Sequence, residues 1–245
     1  MGRILIFLFG VVSYVFFLGS FLYAIGFTGN IFVNKSIDSG MPGPLGESLL
    51  VNAILLSIFA LQHSVMARPG FKRAWTKVVP HAMERSVYVL LASLALILLY
   101  WQWRPMTDVV WSVENTVGAA LLWGLFALGW LTVLLSTFMI DHFDLFGLRQ
   151  VYNNLLNQTP TPPPFQVGML YRSVRHPIML GFLIAFWATP HMSVGHLVFT
   201  LATTGYILVG IFFEERDMVA AHGETYLAYR RRVSMLIPFM RKGEK

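Results

Sequence analysis

The sequence predicts an all-α, polytopic membrane helical bundle with four spans, a C-terminal helical hairpin and a cytoplasmic interfacial helix. The first observation behind this fold class is composition: 56% of the 245 residues are hydrophobic and only 12% are charged, whereas soluble domains carry about 25% charged residues. The second is that the apolar residues fall in long runs, and the third is an asymmetric distribution of basic residues between alternate loops. Together they indicate a chain embedded in membrane lipid.

Four apolar runs are each long enough to cross a bilayer. The first, Ile4–Phe27, has 24 residues, and at about 1.5 Å per residue it spans the roughly 30 Å hydrocarbon core. Its apolar region is too long for a signal peptide. Further spans are predicted over Leu49–Met66, Met83–Trp101 and Thr116–Ile140.

The last apolar stretch predicts a hairpin. Pro177–Phe213 has 37 residues, and one continuous helix would be about 55 Å long, which exceeds one span and falls short of two. Thr189-Pro190 and Gly195 interrupt the stretch, so we expect a turn at about 189–195. Beyond the hairpin, Met218–Val233 predicts a helix at the membrane surface.

The basic residues predict the orientation. With this topology, 16 of the 18 Lys and Arg residues fall on one side, and only Lys35 and Arg104 fall on the other. The positive-inside rule then places the N-terminus, the loop after the fourth span and the tail in the cytoplasm. A net charge of +6 would suggest nucleic acid in a soluble protein, but here membrane orientation explains the basic residues, and no nucleic-acid partner is expected.

The hairpin brings two charged segments to the cytoplasmic face. Tyr171, Arg172, Arg175 and His176 precede its first helix, and Glu214-Glu215 close its second. Because both ends return to one face, cations should meet carboxylates there. Pro177 suits the first turn of a helix, whose N-terminus favours an anion.

Downstream residues add aromatic surface to this cluster. Tyr226, Tyr229 and Arg230 fall at helical spacing on one face, with His222 one turn before them. S-adenosylmethionine carries a carboxylate that suits Arg, an ammonium that suits Glu and an adenine that suits aromatic rings. The same residue types equally suit a structural salt-bridge cluster that closes the base of the hairpin.

Some chemistries are excluded by what the sequence lacks. There is no cysteine, which excludes disulfides, Cys-ligated zinc and iron–sulfur clusters, and with the clusters the radical use of S-adenosylmethionine. No glycine-rich loop follows a strand, so a soluble Rossmann-type methyltransferase is excluded as well. No metal site is predicted, and if the cluster binds S-adenosylmethionine, polar methyl transfer is the use of that cofactor which remains.

The C-terminal motifs resemble a known family. Arg175-His176-Pro177, Gly181, Glu214-Glu215, His222-Gly223-x-x-Tyr226-x-x-Tyr229 and Ile237-Pro238 resemble the C-terminal signature of the isoprenylcysteine carboxyl methyltransferases and their bacterial relatives. In that family the signature forms the S-adenosylmethionine pocket. Ile178-Met179 stands where isoprenylcysteine enzymes more often have a Tyr, which weakens the case for a prenyl-protein substrate.

Two further segments narrow the resemblance. Leu61–Pro69 and Asp141–Gln150 are similar to the methanethiol S-methyltransferases, which convert methanethiol to dimethyl sulfide. The resemblance implies a bacterial inner-membrane enzyme that methylates a small thiol with S-adenosylmethionine. It implies one domain over 1–245, in which 1–140 form the bundle and 141–245 the cofactor-binding loop, hairpin and C-terminal helix. The implied cofactor contacts are Tyr171, Arg172, Arg175, His176, Pro177, Leu180, Gly181, Glu214, Glu215, His222, Tyr226, Tyr229 and Arg230.

Methylation of a thiol requires removal of its proton, since the thiolate is the stronger nucleophile. His63 lies beside Gln62 near the cytoplasmic end of the second span, where a polar pair can also form an interhelical hydrogen bond. Asp141 and His142 open the loop after the fourth span, where a solvated helix terminus is the alternative. These three residues are the catalytic candidates.

Other interpretations remain open at this point. The acceptor can be a prenyl-cysteine carboxylate or a lipid, or the protein can be a non-enzymatic accessory or haem-binding protein, for which His63 and His142 are the nearest pair. No obligatory protein partner is inferred. Gly118, Gly124 and Gly129 predict close helix packing, and the proline-rich stretch Thr159–Pro164 predicts a stiff loop over the site.

Overall fold

The computed structural model describes residues 2–158 and 167–238. These residues form two compact units: the first contains 2–110, 141–158 and 193–196, and the second contains 111–140, 167–192 and 197–238. The predicted loop at Thr159–Pro164 lies outside the described residues. In chain order the elements are α1 Arg3–Gly29, α2 Leu45–Ala67, α3 Pro69–Trp75, α4 His81–Gln102, β1 Val109–Ser112, α5 Thr116–Ile140, α6 His142–Leu145, α7 Leu148–Leu155, a 3₁₀ turn Met169–Arg172, α8 Pro177–Trp187, β2 His191–Ser193, α9 Val194–His222 and α10 Glu224–Arg232.

The polytopic helical membrane fold predicted from the sequence is confirmed. Within the described part of the chain, five helices are long and apolar enough to cross a membrane, namely α1, α2, α4, α5 and α9. Each of the four predicted spans lies within or nearly within one of them, and α5 has the predicted bounds. The outward-facing side chains of these helices are largely apolar, as lipid requires.

The first unit is a bundle in which α4 packs against α1, α2 and α7. A glycine allows α1 to approach α7 closely, since a Cβ at Gly10 would lie 2.8 Å from a methyl carbon of Val151. Asn52 on α2 is fully buried and binds both backbone groups of Arg104 just beyond α4, at 2.8 and 2.9 Å. This pair of hydrogen bonds fixes the end of α4 against α2.

The second unit is organised by the crossing of α5 and α8. A Cβ on Gly129 would lie 2.6 Å from the backbone nitrogen of Ala185, and one on Gly181 would lie 2.7 Å from the carbonyl oxygen of Gly129. The prediction of close helix packing is therefore confirmed for Gly129. It is wrong for Gly124, whose Cβ would meet no atom within 4 Å, and for Gly118, which approaches only Val113 in the preceding loop.

The predicted hairpin is present, with arms of unequal length. α8 has 11 residues and is about 16 Å long, whereas α9 has 29 residues and is about 43 Å long. The turn lies beside the residues that precede α5, because Val113 N donates to Pro190 O at 2.8 Å and the Trp111 indole donates to Thr189 O at 3.1 Å. α8 therefore runs towards the end at which α5 begins.

The predicted surface helix over Met218–Val233 is wrong in its bounds. α9 continues through Met218 to His222, and α10 starts only at Glu224. Gly223 separates them with φ 53° and ψ −130°, a conformation that is essentially restricted to glycine. The helical spacing extended across this break, so His222 and Tyr226 do not share one helix face as the sequence suggested.

Candidate functional site

A buried ion pair joins the start of the hairpin to its far arm. Arg175, two residues before α8, donates from Nε to Glu215 Oε1 on α9 at 2.7 Å, and its Nη2 lies 2.7 Å from the same oxygen. The two side chains are only 10% and 14% exposed. The prediction that cations and carboxylates meet at the base of the hairpin is therefore confirmed.

Arg175 also holds the segment that follows α10. Its Nη1 donates to the carbonyl oxygens of Arg230, at 3.1 Å, and of Val233. Its backbone nitrogen donates to Ser234 O at 2.8 Å, within a short parallel bridge between Val174 and Ser234. One guanidinium thus ties together the residues before α8, the side of α9 and the end of α10.

His176 bridges two neighbouring carboxylates with unequal exposure. Its Nε2 lies 3.2 Å from Glu215 Oε1, and its Nδ1 lies 3.5 Å from Glu214 Oε2. Glu215 is enclosed by Arg175, His176 and, at 3.9 Å, Arg230. Glu214 is 49% exposed, so the two glutamates differ as expected for adjacent helical residues that point about 100° apart. Glu214 is the carboxylate that remains available to an incoming cation.

Two tyrosines of α10 form the aromatic part of the cluster. The rings of Tyr226 and Tyr229 lie 5.8 Å apart, and Tyr226 is buried. The Tyr229 hydroxyl donates to Tyr171 O at 2.6 Å. Burial raises the pKa of both Tyr226 and Tyr229 to about 12, with the charge of Glu215 adding to the effect. Both rings are therefore neutral at physiological pH.

A cavity of about 410 Å³ lies between α10 and the residues before α8. Arg172 and Arg232 line it, together with Tyr229 and Thr225. Arg172 is exposed, and within the described residues its hydrogen bond is a long one of 3.4 Å from Nε to Val167 O. The volume lies within the range of small-molecule sites, and its guanidinium groups suit a carboxylate.

The remaining predicted cofactor residues are Gly181, Pro177, Leu180 and His222. Gly181 faces α5, where only a glycine fits against Gly129 and Val133. Pro177 occupies the first turn of α8, as predicted, and Leu180 N donates to His176 O at 3.0 Å. His222 ends α9. Their assignment as cofactor contacts stays a prediction.

The catalytic candidate His63 lies in the first unit, between α2 and α4. The Tyr88 hydroxyl is 2.9 Å from its Nε2, and Phe59 stacks on the ring with centroids 5.2 Å apart. Gln62 donates to Tyr88 O at 3.4 Å. The interhelical hydrogen bonding offered as the alternative is thus present. Tyr88 was not predicted from the sequence as a partner of His63, although both residues fall at the same end of their respective spans.

Asp141 and His142 also belong to the first unit, and each makes specific contacts. Asp141 caps α6 by accepting from Asp144 N at 3.1 Å and pairs with Arg149. His142 is only 4% exposed, so the alternative of a solvated helix terminus is wrong for it. Its Nε2 lies 2.8 Å from the Tyr14 hydroxyl, among the rings of Phe17, Phe143 and Phe146.

Burial lowers the pKa of His142, while the charge of Asp141 opposes this shift. Tyr14 was another partner that the sequence did not indicate. The catalytic roles of His63, Asp141 and His142 stay predictions. Within the described residues, no group of three or more His, Asp or Glu side chains is arranged to hold a metal ion.

Comparison with known proteins assigns the family. Residues 50–237, which include the whole hairpin cluster, match the NnrU protein family. The chain belongs to the NnrU family. It is 57% identical over 239 residues to methanethiol S-methyltransferase of Mycobacterium tuberculosis, covering 98% of both chains.

Two further relatives carry the same activity in their names. Methanethiol S-methyltransferase 2 of Bradyrhizobium diazoefficiens is 57% identical over 237 residues, which are 97% of this chain and 91% of the relative. Methanethiol S-methyltransferase of Crocosphaera subtropica is 53% identical over 242 residues, which are 99% and 95% of the two chains. No solved structure matches the chain. These relatives confirm the resemblance inferred from sequence and make this NnrU-family chain a methyltransferase.

Proposed function

We propose that this NnrU-family enzyme methylates methanethiol with S-adenosylmethionine and releases dimethyl sulfide. The observation that carries the proposal is the similarity to a methanethiol S-methyltransferase at 57% identity over 98% of both chains. Such coverage extends over both units, so nearly the whole chain has a counterpart in that relative. The rest of the argument concerns how the described residues suit this chemistry.

The residues at the base of the hairpin fit the proposed cofactor. The exposed carboxylate of Glu214 suits an ammonium, and Arg172 and Arg232, which line the 410 Å³ cavity, suit a carboxylate. Tyr229 offers an aromatic face in the same cavity. Arg175 has its donors engaged by Glu215 and by backbone carbonyls, so its proposed role is to position α9 and α10.

When bound, S-adenosylmethionine would supply the methyl group of its positively charged sulfonium for in-line transfer to the thiol sulfur. The chain has to orient the reacting groups and favour the thiolate. A cysteine thiol ionises near pH 8.5, so a proton acceptor helps at neutral pH. We assign this role to His63, whose ring is held by Tyr88 and Phe59.

The proposed location is a bacterial inner membrane, with the N-terminus and the hairpin cluster facing the cytoplasm. The basic residues support this orientation, because 16 of 18 fall on the side of the cluster. S-adenosylmethionine is charged and reaches the site from the cytosol, whereas a small thiol can also arrive through lipid. We treat residues 1–245 as one functional domain that needs neither an obligatory protein partner nor nucleic acid.

The test is an assay of the purified protein in detergent, with S-adenosylmethionine and methanethiol supplied and dimethyl sulfide measured in the headspace by gas chromatography. Parallel vials contain longer thiols and a farnesyl-cysteine analogue. We expect cofactor-dependent dimethyl sulfide and little methylation of the farnesyl analogue. Binding of the cofactor without dimethyl sulfide would reject the substrate, and absence of both in a folded sample would reject the proposal.

A charge-matched pair of variants links the activity to the site. Glu214→Gln removes the carboxylate proposed to contact the cofactor. Glu224→Gln removes a carboxylate that is 82% exposed and paired only loosely, at 3.5 Å, with Arg231. Calorimetry should show weaker cofactor binding for Glu214→Gln and wild-type binding for Glu224→Gln. Equal affinity in both variants would remove Glu214 from the proposed site.

A further inference from the structure

The connection after α1 contains a lysine that is partly buried and has no counter-ion among the described residues. Lys35 Nζ donates to Trp101 O at 2.7 Å, and its backbone is fixed because Tyr23 donates to Lys35 O at 2.9 Å. Within residues 2–158 and 167–238, no carboxylate oxygen lies within 4.0 Å of the ammonium. Two of its three donors are therefore open to another acceptor.

A second cation lies near the first. Arg104 follows by three residues Trp101, whose carbonyl oxygen accepts from Lys35 Nζ. Burial lowers the pKa of Lys35, and the charge of Arg104 adds to this effect. Its backbone is clamped by Asn52, so it cannot move far away. In the described part of the chain its guanidinium likewise has no carboxylate within 4.0 Å. Lys35 is partly buried and Arg104 is exposed. Two neighbouring cations repel each other, and a bound anionic group would compensate both charges.

An apolar groove leads away from Lys35 along the membrane-spanning helices of the first unit. It has a volume of about 470 Å³ and is lined chiefly by Val15, Phe16 and Gly19 of α1 and by Ile97, Tyr100 and Trp101 of α4. Residues from Val15 to Tyr23 on α1 contribute to it, a rise of about 12 Å along the helix. The groove is open at Gly19, where a Cβ would meet no atom within 4 Å, so a larger side chain there would occupy groove space.

We propose that this groove binds a phospholipid with an anionic headgroup, with one acyl chain along α1 and α4 and the phosphate at Lys35 and Arg104. The site thus combines an apolar channel with a cationic end, and only an amphipathic anion satisfies both. A small thiol would fill a fraction of the volume and leave the cations unpaired. A neutral lipid or a detergent tail would fill the groove without a counter-ion for Lys35 and Arg104.

The location of Trp101 supports a lipid rather than a soluble anion. Its side chain is 67% exposed beside Lys35 at the end of a membrane-spanning helix, where indole rings sit at the level of lipid headgroups. Lysine at such a depth reaches towards the phosphate layer while its stem stays in the apolar region. The proposal depends neither on the proposed methyl acceptor nor on the cofactor.

The test is native mass spectrometry of the full chain, purified in mild detergent and supplied with phosphatidylglycerol or phosphatidylcholine of the same acyl chains. No cofactor or thiol is added. We expect phosphatidylglycerol to be retained about tenfold more strongly than phosphatidylcholine, which corresponds to about 1.4 kcal/mol. Lys35→Gln should abolish this preference, and Gly19→Leu should reduce binding of both lipids by filling the groove.

Two matched variants provide controls. Lys77→Gln removes an exposed cation from the connection between α3 and α4, and Gly124→Leu adds the same side chain to an open position on α5. Both should retain phosphatidylglycerol as the wild type does. Equal retention of the two lipids by the wild type, unchanged preference in Lys35→Gln, or complete displacement of the lipid by inorganic phosphate would each overturn the proposal. Arg104→Gln provides a second cation variant if Lys35→Gln fails to fold.

Discussion

At the scale of single residues, Glu214 and Glu215 show how surroundings separate two identical side chains. Glu215 is paired with a buried guanidinium, whereas Glu214 is half exposed and, among the described residues, forms an ion pair with His176 alone. Glu215→Gln leaves the charge of Arg175 uncompensated, so we expect the free energy of unfolding to fall by about 3 kcal/mol. Thermal unfolding in detergent measures this loss.

Glu214→Gln should have the complementary phenotype. We expect its unfolding temperature to match that of the wild type and its affinity for S-adenosylmethionine to fall about tenfold, because one charge-assisted hydrogen bond is removed. Calorimetry with the cofactor measures the affinity. If Glu214→Gln loses stability as severely as Glu215→Gln, both glutamates belong to a purely structural salt-bridge cluster.

The tyrosines of α10 carry a prediction about pH. Burial raises the pKa of Tyr226 and Tyr229 to about 12, above the value of about 10 for an unfolded chain. Their contribution to stability is therefore complete below about pH 10 and is lost as the pH rises from about 10 to 12. In an ultraviolet titration, the two Tyr→Phe variants should lose tyrosinate absorbance only in the last part of the curve. A loss near pH 10 would show that these rings are exposed.

The hairpin cluster was predictable from sequence because its members are charged and because the hairpin topology determines where they lie. Because both ends of the hairpin return to one face, Arg175 and Glu215 lie close together and form an ion pair. The partners of His63 and His142 were not predicted. Tyr88 and Tyr14 lie on helices that are apolar on nearly every face, so hydropathy does not reveal which side of each helix is turned inward.

At the scale of elements, the crossing of α5 and α8 depends on two glycines. A Cβ on Gly129 would lie 2.6 Å from a backbone nitrogen of α8, closer than real contacts permit, so the helices would have to separate. We expect Gly129→Ala to lower the free energy of unfolding by about 1–3 kcal/mol. Thermal unfolding of the detergent-solubilised protein is the measurement.

Gly124→Ala is the matched control on the same helix. Its Cβ would face open space, and alanine favours a helix over glycine by about 1 kcal/mol. The control should therefore be neutral or slightly stabilised. Equal destabilisation of the two variants would mean that the close approach of α8 is not the cause of the effect at Gly129.

Element boundaries were predictable where composition changes sharply. α5 has its predicted bounds because polar residues flank the apolar run on both sides. The boundary between α9 and α10 was missed, since helical spacing continues across Gly223 and only the backbone reveals its positive φ. The short length of α8 was not predictable either, because apolar residues continue from α8 through the turn into α9.

At the scale of the whole molecule, the distribution of charge along the chain predicts how it is inserted. Of the 18 Lys and Arg residues, 16 fall on the side assigned to the cytoplasm, and such an excess sets the orientation of membrane proteins. The chain contains no cysteine, so a single introduced cysteine is the only thiol that a maleimide can label. This makes the orientation directly measurable in intact bacterial cells.

Asn34→Cys and Glu224→Cys place a thiol on opposite predicted sides, both at exposed positions. A membrane-impermeant maleimide should label Asn34→Cys in intact cells and Glu224→Cys only after the inner membrane is opened. Leu128→Cys, on the apolar surface of α5, should resist labelling in both conditions because water is excluded there. Labelling of Glu224→Cys in intact cells would show that the orientation is the opposite of the predicted one. The hairpin cluster would then lie on the side away from the cytosolic cofactor, and the proposed reaction would lose its supply of methyl donor.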